Sequence, residues 1–253
     1  MSKLQPVSME AGHFNVRDKK KFAKGLAMIK ESLNCGGATL FSSDNMILWN
    51  KNYSMLREKA YAEYISDEQI DIVPKTIIWR TYVLDFLLKR SLQVDGNIIE
   101  LGVLKGDTAM FLCNQNAEML KDRIFYLIDL FEWNQGDIHT KHRSLLDKNL
   151  YTKVQDRFGK HKFIKVIQGD AEDILPRINI DKIAFAHIDM NDAVPELFSL
   201  AFLASKISRG GSIIFDDYGW WGYSEQKLEL DKKLNDLNLD ILELPTGQGI
   251  VLF

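Results

Sequence analysis

The sequence predicts an α/β protein: a doubly wound, mostly parallel sheet that ends in an antiparallel hairpin, preceded by an N-terminal helical cap. Three observations carry that expectation. After Asp95 short apolar runs alternate with helical patterns, acids recur where those runs end, and the last two runs are joined by only four residues, TGQG.

Residues 1–94 come first. The stretches KKFAKGLAMIKESL and PKTIIWRTYVLDFLLKRSL place apolar residues at helical spacing, and Pro74 stands where a first helical turn tolerates proline. No Ser/Gly-rich linker separates this region from residues 95–253, so it is expected to pack as a cap and substrate lid. Residues 95–253 then read NIIELGV, a helical TAMFLCNQNAEML, RIFYLID, KFIKVIQGD, KIAFAHID, a helical VPELFSLAFLASKIS, SIIFDD, LDILELP and IVLF. Strands and helices in alternation build a parallel sheet covered on both faces. A parallel crossover needs about a dozen residues, so the TGQG connection makes the final pair an antiparallel hairpin.

Composition bounds the partners. The 253 residues carry 32 Lys and Arg against 35 Asp and Glu, a net charge of −3, which is a poor match to a phosphate backbone, and no nucleic-acid partner is expected. No run approaches the roughly 18 apolar residues of a membrane span, and the first residues lack a signal-peptide core. A cytoplasmic protein without a membrane partner is the expectation. Cys35 and Cys113 lie far apart with no metal-ligand spacing, so each reads as a small buried hydrophobe.

In an open α/β sheet, ligands bind beyond the carboxyl ends of the strands. Acids stand at five such ends: Glu100 in IIELG, Asp129 in YLIDLFE, Asp170 in IQGDAED, Asp189 in HIDMN, and the pair Asp216–Asp217 in IIFDDYG. Any one of them also fits a helix cap or a solvated loop acid; their recurrence is what points to a site. In ELGVLKGDT, Gly102 and Gly106 permit close backbone approach ahead of a helix N-terminus. A dinucleotide fingerprint would need glycine where Leu104 stands, which argues against a nicotinamide enzyme. Asp129, about twenty residues past Gly106, is placed to accept from both hydroxyls of a ribose. Asp170 either faces an adenine amino group or caps the next helix.

These motifs in order, E-L-G-V-x-x-G, the acid followed by Phe131 and Glu132, G-D-A at Gly169 to Ala171, and the reversed terminal hairpin, resemble a class I S-adenosylmethionine-dependent methyltransferase. HIDMN, GGSIIFDDYG and LPTGQG resemble more narrowly the macrocin O-methyltransferase type, which methylates sugar hydroxyls, and the resemblance spans residues 76–253. It implies a Rossmann-like fold and a cofactor site of Glu100, Gly102, Gly106, Asp129, Phe131, Asp170, Ala171 and Asp189. It also implies a sheet order that brings Asp189, Asp216 and Asp217 into one cleft. Three crowded carboxylates repel unless a cation neutralises them, and an all-oxygen set suits Mg²⁺. These three acids are therefore both the expected metal ligands and the expected catalytic residues. The macrolide enzymes carry D-x-D-x-Y where this chain has Asp189-Met190-Asn191-Asp192-Ala193, a departure that bears on the acceptor.

Other residues have two readings each. His187 shares a strand face with Asp189 and is either a base or a hydrogen-bonded core residue. Trp220, Trp221 and Tyr223 either line an acceptor pocket or anchor a loop, and Arg80 either meets the cofactor carboxylate or is solvated or ion-paired. The leading expectation is a metal-dependent O-methyltransferase acting on a small hydroxylated molecule, a sugar or secondary metabolite, with homo-oligomerisation left open. The alternative is an S-adenosylmethionine-binding protein without turnover, or a transferase for an amine or carrier-bound acceptor.

Overall fold

The computed structural model of the chain describes residues 7–33, 40–132 and 147–253; Cys35 lies outside them. The described chain divides into two units, Met1–Tyr82 and Val83–Phe253.

The N-terminal unit contains β1 (Met9–Glu10), α1 (Lys19–Ser32), β2 (Leu40–Ser43), β3 (Met46–Trp49), α2 (Lys59–Ser66), α3 (Ile72–Thr76) and the start of α4 (Ile78–Ser91). The helical patterns of the sequence are found, with Pro74 inside the short α3. A three-stranded sheet in the order β1-β2-β3 accompanies them, which helical spacing alone does not predict. Its β2–β3 hairpin turns on Asp44 and Asn45, at φ 50° and 57°, the double left-handed turn that matches strand twist and that Asp and Asn tolerate. The buried Phe41 ring packs 5.9 Å from Tyr53 and 6.2 Å from Trp79. Arg80 is buried here and grips the Asp44 carboxylate through Nε at 2.8 Å and Nη2 at 2.9 Å. Of its two readings, the ion-paired one matches what is seen.

The second unit is built on a seven-stranded sheet. Its elements are β4 (Asn97–Leu101), α5 (Asp107–Leu120), β5 (Phe125–Asp129), α6 (Leu150–Phe158), β6 (Ile164–Gln168), α7 (Ala171–Ile174), β7 (Ile183–Ile188), α8 (Ala193–Ala204), β8 (Ile207–Phe215), α9 (Ser224–Asp236), β9 (Leu242–Glu243) and β10 (Gly249–Leu252). The order is β6-β5-β4-β7-β8-β10-β9. Pairs from β6 through β8 are parallel, while β10 runs antiparallel to both β8 and β9, as the TGQG connection requires.

The two-residue period of the strands sorts the core into two layers. Ile98, Phe125, Leu127, Phe185 and Ile214 face one layer with Leu112 and Cys113 of α5 and Val154 and Phe158 of α6. Ile99, Leu101, Tyr126, Ile128, Ala186, Ile188, Ile213 and Phe215 face the other, with Leu200 and Leu203 of α8 and Leu230 and Leu234 of α9. Each fully buried Ile, Leu or Phe contributes about 1.5–3 kcal/mol against exposure. Strands β5 and β6 are added on one side of β4 and β7 and β8 on the other, so the strand order changes direction between β4 and β7, and that switch point sets the place of the site. Cys113 is a buried hydrophobe as expected, its thiol pushed well up by burial.

Candidate active site at the carboxyl ends of β4, β5, β7 and β8

The turn after β4 comes closest to β7. Gly102, at φ 85°, leaves so little room that a Cβ there would lie 1.9 Å from the Asp189 carbonyl oxygen. Only glycine meets both conditions. Gly106, at φ 73°, opens α5 without a side-chain cap, and a Cβ on it would meet the Phe158 ring at 2.6 Å.

Asp129, at the tip of β5, clamps that turn from the other side. Its Oδ2 accepts from the Val103 and Leu104 amides at 2.6 and 2.8 Å, and Oδ1 accepts from the Phe131 amide at 2.7 Å. Phe131 itself is buried at φ 53°, its ring 5.4 Å from Tyr151. Asp170 caps α7, accepting from the Glu172 amide at 2.9 Å, and Ala171 beside it is buried.

Between β4, β7 and β8 sits a buried polar chain that the linear sequence does not assemble. Glu100 and His187 are register partners on neighbouring strands, and both are 2% exposed. His187 Nδ1 stands 3.6 Å from Glu100 Oε1 and Nε2 stands 3.5 Å from Asp216 Oδ1. These are ion-pair separations, longer than hydrogen bonds, and neither ring nitrogen has a hydrogen-bond partner, nor does Glu100 Oε2. Burial alone would lower the His187 pKa, but the Asp216 and Glu100 carboxylates on either side more than reverse it and hold it well above the usual histidine value. Asp216, 5% exposed, accepts from Gln248 Nε2 at 2.9 Å, and the Thr246 hydroxyl bonds Gln248 Oε1 at 3.1 Å. The PTGQG motif therefore serves as a brace for the first acid of the DDYG motif. In the sequence Gln248 stands within the LPTGQG motif, but nothing there ties it to Asp216.

Of the three predicted metal ligands, two converge. Donor atoms of Asp189, Asp216 and His187 all lie within 4.8 Å of one another. Asp217, half-buried, stands outside that group among the described residues, and its charge is felt instead at Glu196. Both acids lie in the bend beyond Phe215, where β8 ends, Asp216 buried and Asp217 half-buried. Asn191, at φ 59°, donates through Nδ2 to Asp189 Oδ1 at 3.3 Å.

Glu196 escapes sequence reasoning altogether. Buried on the first turn of α8, it accepts from the Asn191 amide at 3.0 Å and from Gln226 Nε2 of α9 at 2.7 Å. Burial pushes its pKa up to about 8 against those hydrogen bonds, with the Asp217 charge adding to the rise. Farther out, Tyr218 bonds Asp231, Lys227 Nζ lies 4.1 Å above the Tyr218 ring, and Trp220 Nε1 donates to the Thr246 carbonyl at 3.3 Å. Trp221 is 91% exposed.

Set against known proteins, residues 88–246, well over half of the chain, match the family model described as macrocin-O-methyltransferase (TylF). Among solved structures, the O-methyltransferase NovP is 20% identical with a TM-score of 0.57, the match covering 69% of this chain and 79% of NovP. CalS11, a calicheamicin methyltransferase, is 14% identical with a TM-score of 0.60, covering 79% and 92%. An apo structure described as CalS11, TDP-rhamnose 3'-O-methyltransferase, gives 17% and 0.52, covering 79% and 94%. At these identities the structural likeness is one of fold. No sequence among the curated proteins matches the chain.

Proposed function

Because the chain belongs to the macrocin-O-methyltransferase family and so uses S-adenosylmethionine to methylate oxygen, we propose that its acceptor is a hydroxyl of a small sugar or secondary metabolite and that transfer is assisted by a divalent metal ion. The observation that carries the metal reading is the convergence of Asp189 and Asp216 on a buried histidine whose nitrogens lack hydrogen-bond partners. The sugar reading draws on the TDP-rhamnose named for CalS11.

The cofactor residues fit their group. Gly102 brings backbone to the point of closest approach, Asp129 presents its carboxylate at the tip of β5, and the uncapped start of α5 offers amides. Glu100, Gly102, Gly106, Asp129, Phe131, Asp170, Ala171 and Asp189 would hold S-adenosylmethionine, which supplies an electrophilic methyl group when bound. Asp189 and Asp216, the two predicted ligands that converge, would hold the ion, which supplies Lewis acidity toward the acceptor hydroxyl. The chain's own residues orient the acceptor and keep its oxygen in line with the methyl donor, an advantage of positioning more than of acid–base chemistry.

Asn191 favours a second reading. Its amide occupies the place where the macrolide enzymes have an acid, so an acceptor that needs no carboxylate base there, such as an amine, also fits.

Release of S-adenosylhomocysteine against a panel of hydroxylated and amino acceptors tests both readings. EDTA is expected to stop methyl transfer while S-adenosylmethionine still binds. Turnover at full rate by protein shown metal-free by elemental analysis overturns the metal role. Asp129→Ala should weaken cofactor binding by about 2–3 kcal/mol, the loss of two charged hydrogen bonds; unchanged affinity by calorimetry counts against the ribose assignment.

A further inference from the structure

The ion proposed above rests on the carboxylates at the ends of β7 and β8. Resting on that reading, we propose that His187 Nε2 is a third donor to the same ion, so that the centre takes a first-row transition ion such as Mn²⁺ in preference to Mg²⁺.

Four observations lead there. Donor atoms of His187, Asp189 and Asp216 approach one another within 4.8 Å, a span one ion can bridge. His187 is 2% exposed and neither of its nitrogens makes a hydrogen bond, although buried ring nitrogens are ordinarily satisfied. Glu100 faces Nδ1 at 3.6 Å, which turns the other nitrogen toward Asp216 at 3.5 Å. A ligating histidine has its groups in the same order, one nitrogen facing a carboxylate and the other facing the metal. Finally, Gln248 donates to Asp216 Oδ1 at 2.9 Å, fixing the carboxylate in place beside His187.

The donor set then decides the ion. Carboxylates alone suit hard ions, whereas one imidazole among them shifts preference along the first transition row. Glu100 gains a role distinct from the cofactor: it orients the imidazole. The strand pairing of Glu100 with His187 makes that possible, because register fixes the two side chains face to face.

The test uses full-length protein and Mn²⁺ as the probe. Pulsed electron paramagnetic resonance of the Mn²⁺ complex is expected to show modulation from a directly bound nitrogen, and calorimetry should show Mn²⁺ bound more tightly than Mg²⁺. In His187→Gln the nitrogen signal should vanish and Mn²⁺ affinity fall; in Glu100→Gln the signal should persist while affinity drops on the order of tenfold, the usual cost of losing an orienting partner. Circular dichroism checks that both variants fold, and the unaltered protein's spectrum decides the point even if they do not. Mn²⁺ bound without nitrogen modulation, or a nitrogen signal that survives in folded His187→Gln, overturns the histidine donor and leaves the carboxylate centre standing. Binding of neither Mn²⁺ nor Mg²⁺ overturns both.

Discussion

Glu196 couples protonation to folding. Its pKa is about 8 in the folded chain, chiefly because it is buried, whereas an unfolded glutamate titrates near 4.5. Between those values the native state holds a proton that the unfolded state has lost, so the Glu196 contribution is fully present below about pH 4.5 and is lost as pH rises to about 8. Glu196→Gln keeps an oxygen for the Asn191 amide, and Gln226 can turn its own amide to suit. The variant should therefore gain stability over the parent at pH 8, on the order of a few kcal/mol, with the two converging near pH 5. Urea denaturation in EDTA at several pH values reads this directly, and parallel pH profiles for the two proteins would refute it. Nothing in the sequence marks Glu196 as special: an acid in the first turn of a helix is ordinarily a solvated partner of the helix dipole. Its side-chain partner, Gln226, lies thirty residues on and in another helix.

At the scale of elements, the β4 turn and the loop after β7 are packed backbone to backbone. Gly102→Ala would combine a left-handed φ with a Cβ 1.9 Å from the Asp189 carbonyl oxygen, and the neighbour cannot yield because it is main chain. We expect a loss of well over 1 kcal/mol of stability, together with a weakened cofactor site. Differential scanning calorimetry with and without S-adenosylmethionine measures both, and an unchanged melting temperature would show that the two loops are not in fact held together. Strands β4 to β8 were legible because each is a short apolar run followed or ended by an acid or glycine, a pattern that period and turn chemistry both report. The β2–β3 hairpin was not, since its strands have four residues each and lie between longer helical patterns. Its one local signal is Asp44-Asn45. Within the site, the strand-end acids could be read singly, but the meeting of Glu100, His187 and Asp216 depends on β4 lying beside β7 and β7 beside β8, which only the sheet order supplies.

For the whole molecule, the family match begins at residue 88, so the N-terminal unit lies outside that match and is where acceptor specificity is proposed to reside. Removing residues 1–76, which ends ahead of α4, should leave S-adenosylmethionine binding intact and abolish methyl transfer. A truncated chain that still methylates its acceptor would refute the assignment. The sheet order has one more implication. Strand β4 is made early in the chain, yet its partner on the site side, β7, comes only after β5 and β6. Closing so long a loop is entropically slow, and contacts of high sequence separation are among the last to form. A refolding molecule would thus regain much of its helix and the β4–β5 pairing while Glu100 still lacked His187 beside it. Catalytic competence is then a kinetic milestone, reached when the centre of the sheet finally zips together, and the active site doubles as a marker that the chain has finished folding.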